Sequence, residues 1–350
     1  MRFEFLTSTP LSATEGSGTF VAVDGLVRGL SNLGHTVAIR PLDTRTGFHT
    51  FDRWLYNARV ALVPPVADVT VGVDLDGFLL ARRRRGPFVV MLKGIIADEL
   101  RNERGWVRML LAVQARWERS NTARADRVVV PSQYSASVAH DVYGIPRPKL
   151  VVVPEPIDLA DWRRRFAETT RARSARPTVL SVARMYPRKR LEDLLRAAGI
   201  LRERIPDAQV RIVGEGPESA RLRALHRELR LDDAAVLLGE VTRQRLAVEY
   251  TSAHCFCLPT VQEGFGLVFA EAMAAGLPVV ACRAAAVPEI VEDRRTGFLV
   301  NPRSPGELAT ALETLLTNRK LSEEFGRAAA QRVEAFGLES VARRFLEALP

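Results

Sequence analysis

Between positions 263 and 271 the chain reads Glu-Gly-Phe-Gly-Leu-Val-Phe-Ala-Glu, which sets two carboxylates on either side of a glycine turn. An apolar segment, 254–258, comes before it, and an apolar helix-like run ending at Gly276 comes after. Strand, glycine loop and helix start, in that order, point backbone N–H groups at an anion. Glu263 falls on the loop and Glu271 one to two turns into the helix, so the two acids would flank a ligand resting there. Glutamates near a helix start also serve simply to complement the helix dipole. The stretch therefore needs counterpart groups elsewhere before it reads as a site.

Cations of a suitable kind stand at Arg184 and Lys189, in Ser-Val-Ala-Arg-Met-Tyr-Pro-Arg-Lys-Arg, just past an apolar segment at 178–182. Beyond a strand's carboxyl end, arginine meets phosphate as a planar fork and lysine as a point charge. Turns that expose backbone follow other strands, at Gly214-Glu215-Gly216-Pro217 and at Gly239. Gly16-Ser17-Gly18-Thr19 is expected to face a ligand at the first strand-to-helix turn. Asp74-Leu75-Asp76 could chelate a divalent ion but reads as a pair of solvated loop acids. Arg82 to Arg85 reads as a solvated face or as a contact with an anion. Cys255, Cys257 and Cys282 are expected to be reduced and buried.

The elements that must position these groups follow from period. Residues 2–6 and 36–39 read as strands around a helix with apolar positions 20, 23, 27 and 30. Apolar segments recur at 61–63, 69–71, 88–92, 127–130 and 150–153, with a long helix over 106–122. Pro154 to Asp158 and the arginine-rich stretch 163–176 read as an interdomain linker. A second series runs through 178–182, 209–213, 236–238, 254–258, 279–281 and 297–300. Strands alternating with helices predict parallel sheets, one in each half. Ser304-Pro305-x-Glu307 predicts a capping box, and apolar residues 341, 345 and 349 predict a closing amphipathic helix.

Composition bounds the rest. At 350 residues, 47% hydrophobic and 26% charged, the chain is expected to form two soluble domains. Its start is too short and charged for a signal peptide, and no 18-residue apolar run occurs, so a cytoplasmic location is expected. The formal charge of +9 suggests an anionic partner. Residues 1–150 hold 20 basic against 14 acidic side chains, so the first half is the more basic.

Taken together, these segments resemble the family 4 glycosyltransferases (glycosyl transferases group 1) of the GT-B fold. The likeness rests on the two glutamates with seven residues between them, Ala-x-Gly-x-Pro-Val-Val after them, and Pro-Glu-Ile-Val around Glu289. It is supported by Leu-Gly-His-Thr-Val at 33–37, Ala-Arg-x-x-x-x-Lys at 183–189, Val-Gly-Glu-Gly-Pro at 213–217 and Thr-Gly-Phe-Leu-Val at 296–300. The resemblance implies two Rossmann-like domains facing across a cleft. The first would be an acceptor domain over 1–155 joined by a returning C-terminal helix over 337–350, and the second a donor domain over 156–336.

It further implies that Arg184 and Lys189 hold the donor diphosphate, Glu271 the ribose and Glu263 the donor sugar. Phe265, Gly266 and Leu267 would offer backbone N–H groups, with Gly214, Gly16 and Gly18 lining the donor site. Lys93 stands where many members carry a histidine, and would meet sugar or phosphate. Also implied are retention of anomeric configuration and no need for a metal or other cofactor, a UDP- or GDP-sugar being the substrate. The acceptor would be a lipid-linked or small-molecule hydroxyl, and the basic first half allows peripheral contact with an anionic membrane. A GT-B epimerase or a glycogen-type phosphorylase shares the fold, although no cofactor-lysine signature is present. Nucleic-acid binding would explain the charge but not its scatter or the 7% aromatic content.

Overall fold

Short apolar runs alternating with helices are satisfied by parallel strands joined through crossover helices. The computed structural model contains two such sheets, each of six strands. It describes residues 1–9, 17–43, 46–82, 86–100, 105–169 and 174–350. The chain divides into two compact units, Met1–Ile157 with Phe336–Pro350, and Asp158–Ala335.

The first unit runs β1 (Arg2–Leu6), α1 (Ser17–Asn32), β2 (Thr36–Arg40), α2 (His49–Leu62), β3 (Val69–Val73) and β4 (Phe88–Met91). It continues with α3 (Ile96–Glu99), α4 (Gly105–Arg124), β5 (Arg127–Val130), α5 (Gln133–Tyr143) and β6 (Leu150–Val152). The sheet order is β2-β1-β3-β4-β5-β6, parallel throughout. One face of the sheet packs Phe3, Phe5 and Val71 against Leu26 and Leu30 of α1.

The second unit begins α6 (Leu159–Ala167), β7 (Thr178–Val182), α7 (Leu191–Arg204), β8 (Gln209–Val213), α8 (Ser219–Glu228), β9 (Ala235–Gly239) and α9 (Arg243–Ser252). Then follow β10 (Cys255–Leu258), α10 (Leu267–Ala274), β11 (Val279–Cys282), α11 (Val287–Ile290), β12 (Gly297–Val300), α12 (Pro305–Thr317) and α13 (Arg319–Arg332). Its order is β12-β11-β10-β7-β8-β9, again parallel. The last helix, α14 (Leu338–Glu347), returns to the first unit. There Phe345 is fully buried, its ring 6.2 Å from Phe3 and 6.3 Å from Phe5. The apolar spacing of the tail thus buries one stripe against α1 and β1.

Several local expectations are corrected. Residues 61–63 belong to the last turn of α2 and the residue after it, not to a strand. Three apolar residues cannot distinguish the two, and α2 is set by Tyr56, Asn57 and Val60 facing inward. The arginine-rich stretch opens with α6, because Asp158 accepts a capping hydrogen bond from Asp161 N at 2.9 Å and Trp162 is buried. No capping box forms at Ser304. Its side chain makes no cap, and Glu307 instead accepts from Asn301 N at 2.9 Å and Asn301 Nδ2 at 3.0 Å. The three cysteines are free and buried in β10 and β11. Among the described residues no helix is long and apolar enough to cross a membrane.

Candidate functional site

In an open parallel sheet, ligands bind outside the carboxyl ends of the strands where the winding order reverses. In the second unit the chain winds outward from β7 to β9 and then crosses back to lay β10 on the other side of β7. The loops after β7 and β10 are therefore neighbours, although about 75 positions separate them in the sequence. Val261 N donates to Arg188 O at 2.9 Å, stitching the two together. Across this seam Lys189 Nζ forms an ion pair with Glu263 Oε1, their side chains 12% and 11% exposed.

The loop after β7 carries the cations. The Arg188 guanidinium lies 4.8 Å from the Tyr186 ring centre and that of Arg184 5.9 Å from it. A single 3-10 turn, Pro187–Lys189, then turns Lys189 toward Glu263. The loop after β8 braces this one: Met185 N donates to Glu215 O at 3.0 Å, and Glu218 N to Met185 O at 2.9 Å. Gly214 has φ +122°, and a Cβ there would stand 2.1 Å from Ala183 O, so the close approach of the loops requires glycine.

The loop after β10 ends at Gly266, left-handed at φ +96°, which enters α10 without a side-chain cap or an acid in the first turn. Phe265 is 5% exposed, and Leu267 opens the helix. Glu271 sits in the second turn, where Tyr250 Oη donates to its Oε2 at 2.9 Å. Burial raises the Glu271 carboxyl to about 7, against the pull of the Tyr250 hydrogen bond and the Arg243 charge. The two acids differ in kind: Glu263 is neutralised by a lysine, whereas Glu271 is held near its protonation point by burial. Tyr250 is itself fully buried, edge-on to Trp162 at 5.5 Å. Nothing in the sequence links it to an acid 21 positions away.

In the first unit the reversal lies between β1 and β3. Ser8 N and Oγ donate to Asp76 at 2.5 and 2.9 Å, and Asn57 Nδ2 does so at 3.0 Å. Asp74, in the left-handed region at φ 54°, accepts from Lys93 N at 2.7 Å. The two aspartates are thus loop-fixing groups and not solvated acids. Asp76 is 1% exposed, and burial raises it to about 6. The Lys93 ammonium meets Glu155 Oε2 at 2.6 Å, with side-chain exposures of 5% and 7%. Gly18 is exposed at the start of α1, whereas Gly16 and Arg83 to Arg85 lie outside the described residues.

The second unit is doubly wound and presents cations, a glycine turn and an uncapped helix start at its switch point, groups whose chemistry suits a phosphorylated ligand. The family description "Glycosyl transferases group 1" matches residues 163–332, and "Glycosyltransferase Family 4" matches residues 16–161. The chain belongs to the family 4 glycosyltransferases of the GT-B fold.

A D-inositol 3-phosphate glycosyltransferase of Paenarthrobacter aurescens is 33% identical over 225 residues, 62% of this chain and 55% of that protein. A GDP-mannose-dependent alpha-(1-6)-phosphatidylinositol monomannoside mannosyltransferase of Mycolicibacterium smegmatis is 31% identical over 248 residues, 66% of this chain and 63% of that protein. The chain thus spans between about half and two thirds of the length of these two relatives. In fold it is similar to the sucrose-phosphate synthase of Thermosynechococcus elongatus, with a TM-score of 0.81 and 20% identity over 99% of this chain and 97% of that one.

Proposed function

We propose that the protein transfers a hexosyl group from a nucleoside-diphosphate sugar to an acceptor hydroxyl, with retention of anomeric configuration and without a metal. The observation that carries this reading is the Lys189–Glu263 pair at the crevice between β7 and β10, beside the uncapped start of α10. A donor diphosphate entering there offers Lys189 a stronger partner than one carboxylate, and Arg184 supplies a second cation. Glu263 is then released toward the sugar hydroxyls, and the N–H groups at Phe265, Gly266 and Leu267 meet sugar and phosphate.

Breaking the glycosyl–phosphate bond builds negative charge on the leaving diphosphate, which fixed cations and N–H dipoles stabilise. The attacking hydroxyl gives its proton to a departing phosphate oxygen on the same face, so neither glutamate needs to act as an acid or base. The Glu271 oxygen not taken by Tyr250 is available to the ribose. Lys93 serves the donor only if Glu155 gives it up. The relative named for GDP-mannose and phosphatidylinositol mannoside supports a GDP-sugar donor and a lipid-linked acceptor, and the one named for D-inositol 3-phosphate a small-molecule acceptor. A UDP-sugar is the other donor we propose, with the enzyme working in the cytoplasm or peripherally at an anionic membrane.

The test is a calorimetric titration with UDP-, GDP- and ADP-sugars followed by turnover in EDTA. Lys189→Ala and Arg184→Ala are each expected to cut turnover by on the order of 10²-fold. Unchanged turnover would refute the phosphate assignment, and activity restored only by Mg²⁺ would refute metal independence. Interconversion of the sugar without an acceptor would establish an epimerase instead.

A further inference from the structure

The large hydrophobic side chains that the described residues leave exposed are not scattered. Apart from Met1, all of them fall within 48–66 and 106–109. On α2 and the residue before it, Phe48 is 77% exposed, Phe51 52%, Trp54 43% and Leu62 77%. At 100° per residue, positions 48, 51, 54 and 62 share one stripe about 120° wide. The opposite side of the helix buries Asp52, Tyr56, Asn57 and Val60. The helix therefore buries a mixed polar and apolar set while leaving Phe48, Phe51, Trp54 and Leu62 outward. Phe51 and Trp54 stack on each other at 6.3 Å in the open.

The second segment lies at the same end. Gln114 of α4 bonds Arg53 at 2.8 Å and Thr50 at 2.8 Å, while further along both helices Asn57 and Asn121 meet Asp76, the first at Oδ1 and the second at its backbone O, each at 3.0 Å. The direct Gln114 bonds and the shared partner Asp76 follow the same chain order, so α2 and α4 run in the same direction, joined at Gln114. The exposed first turn of α4, with Trp106, Val107 and Met109, consequently projects about 12 Å beyond the Gln114 clamp, on the side where α2 begins. Both helices start near the carboxyl ends of their strands, the side of the sheet where ligands bind.

Charge identifies the occupant. Asp52 and Glu118 are the only acids in these two helices, and they are 2% and 0% exposed. Arg59, Arg108, Arg116 and Arg119 are exposed. The outward charge of these two helices is therefore positive, against one exposed acid, Glu99, on the adjoining α3, and it accompanies aromatic groups that suit the headgroup region of a bilayer. A second copy of this chain would bring like charge against like. We infer that the outer face of α2 and the first turn of α4 form a docking surface for an anionic membrane, which deepens the membrane contact proposed above by locating it.

The experiment adds phosphatidylcholine vesicles, with and without phosphatidylglycerol, to the full chain and follows co-sedimentation and tryptophan emission. Binding is expected only with phosphatidylglycerol, weakening with salt, with a blue shift and quenching by brominated lipid. Phe51→Ser combined with Trp54→Ser should lower partitioning by on the order of tenfold or more. Arg108→Ser should lower it about fivefold. Because these side chains are exposed, melting temperature and nucleotide affinity should stay unchanged, so failure here is distinct from failure of the glycosyltransfer reading. Wild-type protein that ignores anionic vesicles, binds both vesicle types alike, or keeps its unquenched emission overturns the proposal. A concentration-dependent dimer abolished by the same substitutions does so as well.

Discussion

Lys93 and Glu155 offer the sharpest test of how the first unit is held together. Glu155 lies in Pro154-Glu155-Pro156, directly before the point at Ile157 where the chain leaves this unit. Its pair with Lys93 therefore fastens the exit segment to the end of β4. At 5% and 7% exposure the pair is out of solvent, where losing one partner strands a charge at a cost of about 3–5 kcal/mol. Lys93→Met should then lower the melting temperature by roughly 6–20 °C, taking ~2–4 °C per kcal/mol for a domain of this size.

Lys93→Met combined with Glu155→Leu should recover most of that loss, since replacing both members of a buried pair by apolar groups is often neutral. The pH dependence has a definite sign. Burial already raises the Glu155 carboxyl, with the Lys93 charge pulling it back down. Without Lys93 it rises further, and a raised carboxyl favours the fold below its unfolded value and loses that advantage as pH climbs through the folded one. The deficit of Lys93→Met should therefore shrink toward acid pH. Scanning calorimetry across pH measures this. A shift smaller than about 2 °C at neutral pH, or a double variant no better than the single one, would refute the reasoning.

Other outcomes can be checked directly. Glu271 titrates near 7 in the folded protein, so if the ribose needs its charged form, nucleotide Kd should weaken by up to about tenfold per pH unit below 7 and level off above. Glu271→Gln should abolish that dependence in calorimetric titrations. Tyr250→Phe, removing a 2.9 Å donor from Glu271, should shift the inflection upward while raising KM more than it lowers kcat. Gly214→Ala, forced to φ +122° against Ala183 O, should destabilise by more than about 1 kcal/mol in chemical denaturation. Phe345→Ala should cost about 3–5 kcal/mol, although it lies far along the chain from the core it fills.

The fold class was legible because apolar runs of four or five residues kept returning between helical periods. Segments such as 178–182 and 209–213 coincide with β7 and β8. Pattern failed where it was too short or where the decisive partner was distant. Residues 61–63 looked like the other apolar runs, and only the inward set of α2 assigns them to a helix. Asp74 and Asp76 looked like solvated acids because nothing local shows that Ser8, 68 positions earlier, closes over one of them. The candidate residues of the second unit, Arg184, Lys189, Glu263 and Glu271, were chosen singly by type. That Lys189 touches Glu263, 74 positions away, depends on β10 lying beside β7, and no local period encodes a strand order. Tyr250 and Glu155 escaped for the same reason.

The two switch points differ in a way that supports our proposal of the second unit as the donor site. Both reverse their winding between adjacent parallel strands, and both place a carboxylate there. In the first unit, Asp76 is wrapped by Ser8 and Asn57, donors that fix loops and could be withdrawn only by opening the core. In the second, Glu263 is satisfied by a flexible lysine from the neighbouring loop. Under the proposed function a diphosphate would take over that lysine without disturbing a strand, the pair holding cation and carboxylate side by side beforehand. The same topology thus gives a carboxylate held by loop-fixing donors in one unit and one held by a single side-chain ion pair in the other. The difference lies in which partner each acid was given.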